Sequence, residues 1–258
     1  MQVPIHRLAA RVFPHGPLDV VRQVFLFATA YYAYRLTRGA IDDPQGATVA
    51  FNNARNILHL EQATGLFIEP SVQAWSGGWQ LAVDAASWIY INAQTTICLA
   101  ALIYIYLFHN ERFYFVRNMF MVAMGIALVG YLIYPTAPPR FFPEWGFQDA
   151  VANFTGVDPQ DVKVNALFNP YAAVPSMHCC NALLIGWSLS QMCRWRPAKV
   201  FWGLYPLLMA WVVVATANHW TFDAVLGAAT AAASFYAARW LARARPQAWA
   251  FSPAKATA

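Results

Sequence analysis

The sequence predicts an all-α polytopic membrane protein with six transmembrane helices and one amphipathic interfacial segment. Three observations predict it. The 258-residue chain is 59% hydrophobic and only 11% charged, where a soluble domain carries about 25% charge. Its mean hydropathy is +0.37. Its apolar runs approach or exceed the roughly 20 helical residues needed to cross a ~30 Å hydrocarbon core. A soluble helical domain of this size would need a more polar surface.

Residues 1–17 form a basic, proline-punctuated lead-in with Arg7 and Arg11. The first span, about 18–36, holds Arg22 and Arg35, which can snorkel, and Tyr31, Tyr32 and Tyr34, which suit an interfacial belt. Ala28-Thr29-Ala30 resembles a cleavage site, but Arg22 interrupts any apolar stretch before it, so no removable signal is expected. In the surface segment, about 44–75, Phe51, Ala54, Ile57, Leu58 and Leu66 recur at helical spacing among Arg55, His59 and Glu61. The second span covers about 81–108 and is long enough to tilt. After His109-Asn110-Glu111-Arg112 the third runs over about 116–134, and Pro135, Pro138 and Pro139 end it. The loop 135–175 carries Arg140, Glu144, Asp149, Asp158, Asp161 and Lys163. Spans four to six cover about 176–193, 200–217 and 221–241. No internal repeat or linker divides the chain, so residues 1–258 read as one domain.

Six spans place both termini on one side. With them fall Arg7, Arg11, Arg22, Arg112, Arg117, Arg194, Arg196, Lys199, Arg239, Arg243, Arg245 and Lys255. Opposite are Arg35, Arg38, Arg55, Arg140 and Lys163. Twelve of the 17 basic residues against five put the termini in the cytoplasm of a multi-pass cell-membrane protein. The loop 135–175 and the turn at 217–221 then face the extracytoplasmic side. The net charge of +5 is thus accounted for by topology, and no basic, aromatic-interleaved polar stretch points to nucleic acid. Cys98, Cys179, Cys180 and Cys193 lie in or beside apolar runs and form no C-x-x-C pair, so neither a disulfide framework nor a zinc ribbon is expected.

Ionisable groups within apolar segments are expensive and each asks for a function. Asp223 follows His219 by four residues, which on a helix shares one face. The carboxylate can hold one imidazole nitrogen and leave the other as base or nucleophile. A helix-capping His–Asp pair is the plain structural alternative. Ser176 reads as the N-cap of span four, whose first-turn amides make an anion site, and His178 stands in that turn. Both histidines fall at the outer ends of spans. Arg140, at the outer end of span three, offers a fork suited to phosphate oxygens, with headgroup anchoring as its alternative. Lys163 is a weaker phosphate ligand from the same loop. Arg117 is rejected, because it lies roughly 25 Å from Tyr134 at 1.5 Å per residue.

Pro138-Pro139-Arg140, Asn169-Pro170-Tyr171-Ala172-Ala173-Val174-Pro175-Ser176-Met177-His178 and Asn218-His219-Trp220-Thr221-Phe222-Asp223 resemble the three motifs of the type 2 phosphatidic acid phosphatase superfamily. The branch with inositol phosphorylceramide synthases and their bacterial relatives is the most similar, and sphingomyelin synthases carry a similar His-aromatic-Thr-x-Asp segment. The resemblance implies that His219 attacks phosphorus to form a phosphohistidine, with Asp223 orienting it. It implies that His178 protonates the leaving oxygen and then activates water or an alcohol, while Arg140 and the amides near Ser176 hold the phosphoryl oxygens. No metal or cofactor is implied. The substrate would be a lipid phosphate, and the acceptor an inositol-like alcohol. Where the superfamily has a Lys seven residues before its first-motif Arg, this chain has Ile133; where it has Ser-Arg before the third-motif His, it has Val212 and Val213. Both departures fit the synthase-like branch.

Four other readings compete. The same residues would serve a hydrolytic lipid phosphate or polyprenyl (di)phosphate phosphatase. Two histidines and an aspartate could bind zinc in a hydrolase, which a chelator would abolish. Cys179 or Cys180 beside His178 could be a nucleophile, in which case His219→Ala would survive. A non-catalytic transporter would show repeats and broken mid-membrane helices, and neither is visible in the sequence.

Overall fold

The computed structural model describes residues 12–39, 44–157 and 171–244. Arg7, Arg11, Asp158, Asp161, Lys163, Asn169, Pro170, Arg245 and Lys255 lie outside the described residues. Within them the chain is all-helical, with one isolated bridge between Thr136 and Ala172. Helix α1 covers Pro17–Gly39, α2 Pro44–Thr64 and α3 Glu69–Gly77. Helix α4, Gln80–Asn92, passes through a π-helical turn at Ala93–Ile97 into α5, Cys98–Phe108. Helix α6 covers Asn110–Ile133 and α7 Ala150–Thr155; α8 is Met177–Met192, α9 Arg196–Ala215 and α10 Thr221–Ala244.

Local chemistry sets the boundaries. Pro197 occupies the first turn of α9, where its missing N–H costs nothing. Pro135 ends α6 one residue after its cap at Tyr134. Asp149 caps α7 through the Ala152 amide, and Ser176 caps α8.

Helices α6 and α9 are long and apolar enough to cross a membrane, and α4 with α5 makes a third candidate if the bent pair is one span. The single tilted span expected over 81–108 is instead two helices bent by 56° at the π-turn. Among the described residues the remaining expected spans do not reach that length and composition, for visible reasons. Helix α1 carries Asp19, Arg22, Arg35 and Arg38. Helix α8 has 16 residues, about 24 Å at 1.5 Å per residue. Helix α10 is alanine-rich and carries Asp223, Arg239 and Arg243.

Helix α8 forms the centre, packed on α6, α9 and α10. Glycines allow the close approaches. A Cβ on Gly186 would lie 2.5 Å from the Trp202 carbonyl oxygen, and one on Gly130 would lie 2.8 Å from Pro175 Cδ. A Cβ on Gly227 would overlap the Ser176 carbonyl oxygen. The amphipathic segment resolves into α2 and α3. Its apolar stripe, Ala50, Ala54, Ile57 and Leu58, packs on Ala137, Phe142, Phe147 and Trp220. Glu61, expected among the polar residues of that segment, lies on the stripe and is fully buried. It falls three and four residues after Leu58 and Ile57, the helical repeat of the buried face.

Candidate active site

The site is assembled where the α9–α10 connection meets the N-terminus of α8. Ala217 has φ of 53°, the left-handed region that a side-chain-bearing residue enters at a cost of about 1 kcal/mol or more. The turn is held by the Val213 carbonyl, which accepts from the amides of Asn218 (3.0 Å) and His219 (3.2 Å). His219 Nδ1 lies 3.3 Å from Asp223 Oδ2, and the same oxygen accepts from the Trp220 amide at 3.0 Å. The carboxylate therefore fixes both the ring and the backbone that carries it. Both side chains are buried. Burial, reinforced by the positive charge of Arg140, pulls the His219 imidazole down to about 3. A histidine so placed is neutral, as a nucleophile requires.

Ser176 Oγ accepts from the Cys179 amide at 3.4 Å, and the Ser176 amide donates to the Asp223 carbonyl at 3.0 Å. The hydroxyl thus shapes the first turn of α8, and the turn is bonded directly to α10. His178 stands in that turn with Nε2 3.2 Å from the Tyr90 carbonyl. Carbonyls only accept, so Nε2 carries the proton and Nδ1 is the unprotonated nitrogen of the neutral ring. The Tyr90 ring stacks on His178 at 4.2 Å, and the centres of the two imidazoles are 5.8 Å apart.

Arg140 reaches the same turn from the α6–α8 connection. Its amide donates to the Ala217 carbonyl at 2.9 Å, its Nη1 donates to Asn218 Oδ1, and its Nε pairs with Asp149 Oδ2 at 3.3 Å. The guanidinium also lies over the Phe141 ring, 4.9 Å from its centre. His178, His219, Asp223, Ser176 and Arg140 are brought together. Lys163 lies outside the described residues. Arg117 is buried at the opposite end of α6, bonded to Gln23 (2.8 Å) and Asn118 (2.7 Å). At the two departure positions Ile133 is exposed, while Val212 and Val213 are buried, so neither supplies a charge.

The sequence reading missed several participants. Asn218 and Asp149 orient the guanidinium, and Tyr90 covers the imidazoles. Trp220, fully buried, anchors the turn through Nε1 to the Ala137 carbonyl at 3.0 Å. Glu61 and Glu69 accept from the Phe222 and Thr221 amides. Only Glu61 left a readable signal, a carboxylate on an apolar stripe. Among the described residues no group of three or more His, Cys, Asp or Glu side chains is arranged to hold a metal ion.

The family model described as the PAP2 superfamily matches residues 55–237. No curated protein and no solved structure matches the chain.

Proposed function

The chain belongs to the PAP2 superfamily, whose members are phosphatases and phosphotransferases, and from that premise we propose that it is an integral membrane lipid phosphotransferase or phosphatase working through a phosphohistidine. The observation that carries this reading is the neutral, Asp223-held His219 facing a second imidazole at 5.8 Å with Arg140 alongside.

In the first half-reaction the free nitrogen of His219 attacks phosphorus. An N–P bond forms, the ester P–O bond breaks, and protonated His178 gives its proton to the leaving oxygen. Asp223 takes up the charge that develops on the imidazole. Arg140 and the first amides of α8 face the phosphoryl oxygens, where charge accumulates. In the second half-reaction neutral His178 takes a proton from the acceptor, whose oxygen displaces His219. With an inositol-like alcohol the product is a new phosphodiester or phosphate ester; with water it is free phosphate. The absence of the two extra cations at Ile133 and Val212–Val213 supports the inositol phosphorylceramide synthase-like branch. The charge asymmetry of the loops supports six spans in a single domain of the cell membrane, cytoplasmic termini and an extracytoplasmic site.

The test is turnover of phosphorus-labelled lipid phosphate, with and without inositol, by the wild type and His219→Ala. Loss of turnover in the variant is expected, and unchanged turnover would sink the mechanism. A labelled inositol product identifies a transferase, and labelled free phosphate the hydrolytic alternative.

A further inference from the structure

We propose that Glu61 and Glu69 are positioning residues of the active site, which hold the Phe222 and Thr221 amides and thereby set where His219 and Asp223 stand. The inference rests on the reading of His219 and Asp223 as the reacting pair.

Helix α10 begins with N–H groups that have no partner within the helix. A single short polar side chain ordinarily satisfies such a terminus. Here three successive amides each end on a different carboxylate. The Trp220 amide donates to Asp223 Oδ2 at 3.0 Å, the Thr221 amide to Glu69 Oε1 at 2.6 Å, and the Phe222 amide to Glu61 Oε1 at 2.7 Å. Asp223 is local, whereas Glu69 and Glu61 arrive from 152 and 161 residues away in the sequence. Both glutamates are fully buried.

Their remaining oxygens show what the arrangement must contain. Oε2 of Glu61 and Oε2 of Glu69 are buried with no hydrogen-bond donor, and the two carboxyls act directly on one another. Two bare acceptors held together away from water repel, and one proton shared between them turns repulsion into an O–H···O bond. The helix dipole alone offers only about half a positive charge, too little to balance Glu61, Glu69 and Asp223 all ionised. The pair therefore carries one proton and one negative charge.

Burying two carboxyls is costly, and a cap alone does not need them. What they add is a fixed distance. Helix α2 packs on Phe142 and Trp220, so its Glu61 ties the turn at 220–223 to an element anchored in that buried cluster. Gln73 on α3 extends the clamp, donating to the Gln148 carbonyl at 2.9 Å.

The full chain in lipid nanodiscs is the test object, with Glu61→Ala, Glu69→Ala, Glu61→Asp, Glu61→Gln and His219→Ala compared with wild type. Two measurements are made: hydrogen exchange of peptides spanning 219–224, and steady-state turnover of phosphorus-labelled phosphatidate. The alanine variants should exchange faster over 219–224 and lose roughly 10- to 100-fold in kcat with KM little changed, since ~1 Å of misplacement costs that order. Glu61→Asp, which keeps the carboxyl group but withdraws it by one methylene, should lose kcat in the same way and serves where alanine prevents folding. Glu61→Gln should recover most of the kcat lost in Glu61→Ala, because its carbonyl accepts from the Phe222 amide and its amide donates to Glu69 Oε2, and a kcat as low as that of Glu61→Ala would count against the proposal. Wild-type exchange over 219–224 in the alanine variants would overturn the proposal, as would wild-type kcat in Glu61→Asp alongside a dead His219→Ala. Turnover surviving in His219→Ala would instead refute the phosphohistidine reading, while the exchange data would still decide whether the pair holds the turn.

Discussion

Gly227→Ala tests whether the two histidines depend on one close helix contact. Gly227 lies one turn after Asp223 on α10, against the cap of α8. A Cβ there would overlap the Ser176 carbonyl oxygen and sit 3.3 Å from the Ser176 carbonyl carbon and 3.2 Å from Cys179 Cβ. The obstacle is backbone and cannot rotate away, so α8 and α10 must separate by roughly 1 Å to reach ordinary contact at about 3.5 Å. Overpacking of this kind costs about 1–3 kcal/mol. The same displacement stretches the 3.0 Å bond from the Ser176 amide to the Asp223 carbonyl and moves His178 away from His219. A ~1 Å misplacement costs about 100-fold in rate. Gly125→Ala and Gly203→Ala are the controls, because a Cβ at either meets nothing within 4 Å. Each should be neutral or stabilising by about 0.5–1 kcal/mol through helix propensity alone. The assay pairs thermal unfolding in detergent with kcat for phosphorus-labelled phosphatidate. Gly227→Ala with the melting temperature and kcat of the controls would refute the claim that this contact sets the site.

Three further outcomes follow from the geometry. Asp223→Asn keeps an acceptor for the Trp220 amide but can present N–H to His219 Nδ1, which imposes the wrong tautomer; kcat should fall roughly 100- to 10,000-fold with little change in melting temperature, and turnover near wild type would remove Asp223 from the mechanism. Arg140→Lys cannot reproduce the fork that meets Asn218 and Asp149 together, so kcat/KM should fall about 100-fold, measured against substrate concentration; a change within twofold would assign Arg140 to headgroup anchoring. Burial and the neighbouring Glu69 charge push Glu61 up to about 9 from 4.5. The folded state therefore binds this proton more tightly than the unfolded chain, so the stabilisation is complete below about 4.5 and is lost progressively as pH rises to about 9. The melting temperature should fall across that window and Glu61→Gln should flatten the fall; parallel wild-type and variant curves would show that Glu61 does not hold the proton.

Much of this molecule was readable from composition and local spacing. The all-helical class follows from apolar periodicity and low charge, properties of short windows. The His219–Asp223 pairing follows from an i, i+4 step, and the Ser176 cap from one residue type before an apolar run. The bend at Ala93–Ile97 left only a faint mark, the polar residues Asn92, Gln94, Thr95 and Thr96 within an otherwise apolar stretch that carries no proline to flag a break. The count of spans was also harder than the apolar runs suggested. Helix α8 is short and its residues are mostly buried by α6, α9 and α10, so its hydrophobicity records protein packing as much as contact with lipid.

The sequence by itself determined which side chains could do phosphoryl chemistry, because side-chain chemistry and helical spacing are local. Tertiary structure alone decided how they are held. Asn218 turns Arg140, the Tyr90 carbonyl selects the His178 tautomer, and Glu61 and Glu69 tie a turn more than 150 residues downstream. These are contacts between a donor and an acceptor whose distance along the chain carries no information, and only packing around α8 brings them within reach.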